Sequence, residues 1–65
     1  MIFRTGHQYI HRDTLDIALE VLSGIFNLEA GPMFKARIFN RHNGIVYEDI
    51  WVKLKTEDLP NWRSL

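Results

Sequence analysis

The stretch MFKARIFNRHNGIVYEDIWVKLK, from Met33 to Lys55, decides the fold. Two runs of strand-forming residues flank His42-Asn43-Gly44, and the loop length sets which side chains share a face. A two-residue Asn43-Gly44 turn would oppose the apolar stripe Phe34, Ala36, Ile38 to Asp49 and Lys53. A three-residue loop, His42-Asn43-Gly44, pairs Phe34 with Val52 and Ala36 with Ile50 instead. A type I turn closed by a left-handed glycine is the usual three-residue solution, and Gly44 stands in that place. A slip of one residue turns every side chain to the wrong face, so the apolar pattern selects the second register. Phe34, Ile38, Ile50, Val52 and Leu54 are then expected in the core.

The same register defines an outer face. Phe39 opposes Tyr47, Arg37 opposes Asp49, and Lys35 opposes Trp51. Glu48 falls opposite Ile38 on the core side, which calls for a bulge or a rim there. The outer face carries Phe39, Tyr47 and Trp51, ringed by Lys35, Arg37, Arg41 and Lys53. Aromatics and arginine are enriched in binding hot spots. Aromatics interleaved with basic residues also suit single-stranded nucleic acid. Against both stands burial: Met1, Ile2, Phe3 and Trp62 could fold over these rings, and strand aromatics are often cross-strand pairs. The two readings stand level on the sequence.

Outward from this hairpin, Gln8 to His11 reads as a short strand after Gly6, with Arg12-Asp13-Thr14 as a turn. Leu15 to Leu28 fits two periods. Leu15, Ala18, Leu19 and Leu22 make a helix face, while Ile17, Leu19 and Val21 alternate as in a strand. Ser23-Gly24 interrupts the helix, and Ile25-Phe26-Asn27-Leu28 returns to β-type residues. A long strand bent or broken at Gly24 is the favoured reading. Glu29-Ala30-Gly31-Pro32 is a turn. Thr56 to Pro60 is a short 3-10 turn, with Thr56 as its cap and Pro60 limiting its length. Asn61 to Leu65 can add a last strand. The expected fold is all-β: a small five-stranded SH3-like antiparallel barrel, with a single 3-10 turn before the last strand.

Size and composition bound the rest. With 65 residues the chain is one domain at most. A domain this small buries only about 60% of its unfolded surface. There is no cysteine, so neither a disulfide nor a thiolate metal site can add stability. That composition suits a reducing compartment, and the expected location is the cytoplasm. Eight basic and eight acidic residues leave zero net charge. Nucleic-acid binding is therefore open only through local clustering. No apolar run approaches a membrane span, and no signal peptide is expected at the start.

No catalytic pattern is found, and the chain is expected not to be an enzyme. His7 and His11 on a strand would lie about 13 Å apart, too far to share an ion. Glu48 and Asp49 are adjacent and point to opposite faces. Ser23 and Ser64 lack a nucleophile context, and Gly24 and Gly31 make no phosphate loop. No cofactor or metal is expected.

Several stretches resemble a group of small, uncharacterised proteins of tailed phages. They are Gly6-His7-Gln8-Tyr9-Ile10-His11, Leu15-Asp16 leading into Ala18-Leu19-Glu20-Val21-Leu22, and Phe34-Lys35-Ala36-Arg37-Ile38-Phe39-Asn40. The run from Val52 to Trp62 completes the set, with Asp58-Leu59-Pro60-Asn61-Trp62 its most distinctive piece. Arg12-Asp13-Thr14 departs from the pattern. The resemblance implies an SH3-like fold and a phage origin, and it transfers no functional residue. Small phage proteins often bind and block a host protein. The expected function is thus a protein-binding module acting on a host protein. The alternatives are a nucleic-acid-binding barrel using Lys35, Arg37, Phe39 and Trp51, or a virion component that binds its own neighbours.

Overall fold

A computed structural model describes residues 3–65. Five strands form one antiparallel sheet: β1 (Gln8–His11), β2 (Ile17–Leu28), β3 (Gly31–Asn40), β4 (Val46–Lys53) and β5 (Trp62–Ser64). Their spatial order is β4-β3-β2-β1-β5. A 3-10 turn, Thr56–Asn61, precedes β5. No described helix is long and apolar enough to cross a membrane.

The ambiguous segment is strand, so the alternation of Ile17, Leu19 and Val21 prevails over the helix period. Its partners explain why. Leu19 lies between Tyr9 of β1 and Ile38 of β3, and Val21 lies beside Ala36. A helix could not satisfy two strands at once. The strand bends where it is expected to: register shifts fall between Val21 and Ser23 and between Ser23 and Phe26. Gly24 sits within the second shift with φ of 66°. Among the described residues, β2 beyond Val21 pairs with β3 alone.

One face of the sheet holds the core, built from Tyr9, Leu19, Val21, Phe34 and Ala36. Phe3 closes over it, its ring centroid 4.5 Å from Tyr9 and 5.3 Å from Phe34. Trp62 packs edge-on against Phe3 at 6.2 Å. Ile25, Ile38, Val52, Leu54 and Leu59 complete the cluster as half-buried members. The main chain before β1 is tied down as well. Arg4 N donates to the Tyr9 hydroxyl at 2.7 Å, and Gly6 N donates to Val21 O at 2.7 Å.

The β3–β4 hairpin departs from expectation in one instructive way. Its loop has four residues, Arg41 to Gly44, not three. Asn40 N donates to Ile45 O at 2.8 Å, and Gly44 N donates to Asn40 O at 2.9 Å. Two asparagine side chains support the longer loop. Asn40 Oδ1 accepts from His42 N and Asn43 N, and Asn43 Oδ1 accepts from Ile45 N. Gly44 has the expected positive φ, 77°. A bulge at Glu48-Asp49 absorbs the extra residue, with Asp49 at φ 52°, a conformation that aspartate tolerates better than most residues. Beyond the bulge the expected register holds: Ala36 faces Ile50, Lys35 faces Trp51, and Phe34 faces Val52. Between loop and bulge it does not. Ile38 faces Tyr47, and Phe39 faces Val46.

Two turns also need correction. The β2–β3 turn is Glu29-Ala30 alone, because Gly31 and Pro32 already belong to β3. Pro32 has no N–H to give, but its carbonyl accepts from Leu54 N at 2.9 Å, a bond that needs no donor from proline. Thr56 does not cap the 3-10 turn. Lys55 holds the capping position, and no side chain bonds there.

Candidate binding face

The face opposite the core can be read row by row from the register. One row runs Ser23, Lys35, Trp51, and the next runs Phe26, Met33, Lys53. On the other side of Lys35 lies the row of Gln8, Glu20 and Arg37, followed by Ile10, Ala18, Phe39 and Val46. Period-two alternation places Lys35, Arg37 and Phe39 together on β3, and Trp51 with Lys53 on β4.

Of the five residues expected to bind, four share this face. Trp51 is 53% exposed. The Lys35 ammonium lies 5.4 Å from the Trp51 ring centre, and the Arg37 guanidinium lies 5.4 Å from the Phe39 ring. Arg37 also reaches Glu48 at 4.0 Å, in place of the expected Asp49. Tyr47 is the exception. The four-residue loop shifts it by one place relative to β3, so it stands beside Ile38 on the core side of the sheet, not beside Phe39. There it lines an open hollow of about 290 Å³ with Ile17, Ile38, Asn40, Asn43 and Ile45.

One member of the face was not legible in the sequence. Phe26 is 49% exposed, and its ring lies 6.3 Å from that of Trp51. Alternation from Ala18 and Glu20 already points Phe26 outward; the two shifts in β2 together slide it two places along β3, opposite Met33 instead of Gly31. Gly24 lies against the same rings: a Cβ at that position would make ordinary contact with Trp51 Cη2 at 3.4 Å and with Phe26 Cε2 at 3.6 Å. The chain ends that were candidates to cover these rings lie elsewhere: Phe3 and Trp62 belong to the core cluster. Met1 and Ile2 lie outside the described residues.

A second polar cluster, away from this face, ties β1 to the 3-10 turn. His11 Nε2 is 3.2 Å from both carboxylate oxygens of Asp58. Asp13 N donates to His11 Nδ1 at 3.0 Å, so Nε2 carries the proton and donates to Asp58. Asn61 Nδ2 donates to the same carboxylate at 2.7 Å. Asn61 first, then His11, hold the Asp58 carboxyl below its ordinary value of 3.8. A depressed folded value stabilises the fold fully above the ordinary one, and this stabilisation is lost as pH falls through the depressed value. Asp58→Asn should therefore flatten the acid side of the stability profile. A thermal melt series from neutral pH to about pH 2 checks this, and wild type should lose more of its midpoint than the variant. Among the described residues, no group of three or more His, Cys, Asp or Glu is placed to hold a metal ion.

Comparison with known proteins returned no match to any family model, to any curated protein or to any solved structure.

Proposed function

We propose that this chain is a non-enzymatic protein-binding module that uses the face around Trp51. The observation that carries the reading is the exposed pair Trp51 and Phe26, rings 6.3 Å apart, with the Lys35 ammonium over the indole. Two large aromatics standing together in solvent lose contact with water favourably when a partner covers them. In fold we propose an SH3-like barrel. The support is the long β2, bent in the middle, with β1 and β5 at one end of the strand order and β3 and β4 at the other, and a 3-10 turn leading into β5. The resemblance to tailed-phage proteins supports a host protein as the partner, bound in the host cytoplasm.

Nucleic acid is the second reading, favoured by the basic residues between the aromatics. Lys35 and Arg37 weigh against it, because each already rests on a ring face that a base would need for stacking. The protein reading is tested by affinity capture with wild type, Trp51→Ala and Lys53→Ala in parallel. Truncating a central aromatic anchor costs about 2 kcal/mol or more, and a rim lysine about 1 or less. Capture should fail with Trp51→Ala and persist with Lys53→Ala, both variants melting as wild type does. Equal capture by all three proteins rejects the face. Capture that collapses with modest salt points to phosphate contacts instead.

A further inference from the structure

Among the described residues β4 pairs only with β3, so it stands at an edge of the sheet. The direction of its main-chain groups follows from one bond. Leu54 N donates to Pro32 O, so these two residues form a hydrogen-bonded pair. Antiparallel ladders alternate, so Val52 and Ile50 also turn their main-chain groups toward β3. Trp51 and Lys53 then turn theirs to the open edge. The Asn40–Ile45 bond at the far end obeys the same alternation once the bulge is counted. Among the described residues, no hydrogen bond occupies the open side of Trp51 or Lys53.

Native edges are ordinarily guarded by bulges, prolines or charges. The first half of β4 is guarded in this way by the bulge at Glu48-Asp49. The second half, Ile50 to Lys53, has no bulge and no proline, and its one charged residue, Lys53, repels a basic strand but not an acidic one. The side chains along this half are of one charge. Lys35 and Lys53 flank Trp51, and neither makes an ion pair among the described residues. The rows Ser23-Lys35-Trp51 and Phe26-Met33-Lys53 contain no acidic residue.

We propose that the edge of β4 from Ile50 to Lys53 accepts an extended acidic segment of a protein partner as an additional strand. The inference rests on the reading of the Trp51 face as the binding face. The amides and carbonyls of Trp51 and Lys53 supply the ladder. Lys53, with Lys35 behind Trp51, selects carboxylates on the partner's outward side chains, and Trp51, backed by Phe26, covers the stems between them. Main-chain bonds of this kind give affinity, and alternate side chains give specificity. A second copy of the chain is less suited to the strip, because neither of its acidic pairs is on an extended segment: Glu48-Asp49 lies in the bulge and Glu57-Asp58 in the 3-10 turn.

The test titrates the full chain, labelled with 15N, with a short synthetic peptide that alternates glutamate and valine. Two further versions carry N-methyl groups on the odd-numbered or the even-numbered amides. The amides of Trp51 and Lys53 should become protected from hydrogen exchange, and one methylated version should lose binding while the other keeps it. Exchanging both lysines, Lys35→Glu with Lys53→Glu, should weaken binding by about tenfold or more. Equal binding of both methylated peptides overturns strand addition, and so does failure of the acidic peptide to bind. If Trp51→Ala still abolishes partner capture in that case, the face survives and only the strand is lost. If capture is also indifferent to Trp51, both readings fall. Dimerisation that protects the same amides without peptide would make a second copy the occupant, and tighter binding of oligothymidylate would make it nucleic acid. Either result overturns the acidic segment.

Discussion

Gly31→Ala should abolish or nearly abolish folding. Gly31 has φ of 137°, where side chains are strained, and a Cβ there would collide with the carbonyl of Leu54. That carbonyl cannot retreat cheaply. Leu54 N is bonded to Pro32 O, and Thr56 N to Ala30 O, both at 2.9 Å, so the chain leaving β4 is stitched to the start of β3 on either side of the contact. Backbone strain of this kind costs about 1–3 kcal/mol, and the forced shift of two bonded strands adds overpacking of about 1–3 kcal/mol more. A domain of this size holds roughly 3–10 kcal/mol in all. Circular dichroism and a urea melt at neutral pH measure the outcome. A variant with the wild-type midpoint would show that the Leu54 carbonyl yields freely. Gly44→Ala is the natural comparison. It has the same sign of φ, but no described atom lies within 4 Å of where a Cβ would stand, so only the strain remains and the loss should be smaller.

Phe34→Ala is expected to do comparable damage by the opposite route, a void instead of a clash. Phe34 is fully buried at the middle of the core, with Phe3 against its ring and Val52 across the hairpin. Removing a buried phenylalanine costs about 3–5 kcal/mol, from lost transfer energy and the cavity left behind. Collapse of the neighbours cannot easily refill the space, because Val21 and Ala36 beside it are also fully buried and held in strands. The variant should lack a cooperative urea transition, or show one at a much lower midpoint. Ile50→Ala, at a half-buried position on the same face, should cost less. Equal losses at the two positions would mean that the core is not centred on Phe34.

These two positions also separate what is local from what is not. The alternation of Phe34, Ala36 and Ile38 against Ile50, Val52 and Leu54 was enough to find the hairpin, its far register and the core face. Gly44 was enough to mark the loop. The 3-10 turn followed from Pro60 and the short polar run before it. Each of these signals acts through the residue's own backbone preference or its immediate neighbours. The partners of Gly31 are different. Glycine in a Gly-Pro pair reads as a turn, and only the approach of Leu54, distant in sequence, makes it a strand residue that tolerates no Cβ.

The binding face divides along the same line. The residue pattern alone puts Lys35, Arg37 and Phe39 together and Trp51 beside Lys35, because strand alternation is a property of each strand and the register beyond the bulge is enforced by the core. The bulge in β4 takes Tyr47 off this face, and the two shifts in β2 slide Phe26 along it to within reach of Trp51. A bulge changes the facing of every residue beyond it, and whether one forms depends on which spacing best satisfies the neighbouring strand's hydrogen bonds and packing. Asn40 and Asn43 at the hairpin, and the number of residues taken up by the bend that Gly24 marks in β2, set those spacings here, and neither count is visible in a pattern of apolar and polar residues. Burial of Ile10 and Ala18 on the outer side is a decision of the same kind. Alternation assigns them to that side, and only the assembled rows, with Arg63 beside Ile10 and Phe39 beside Ala18, take them out of water.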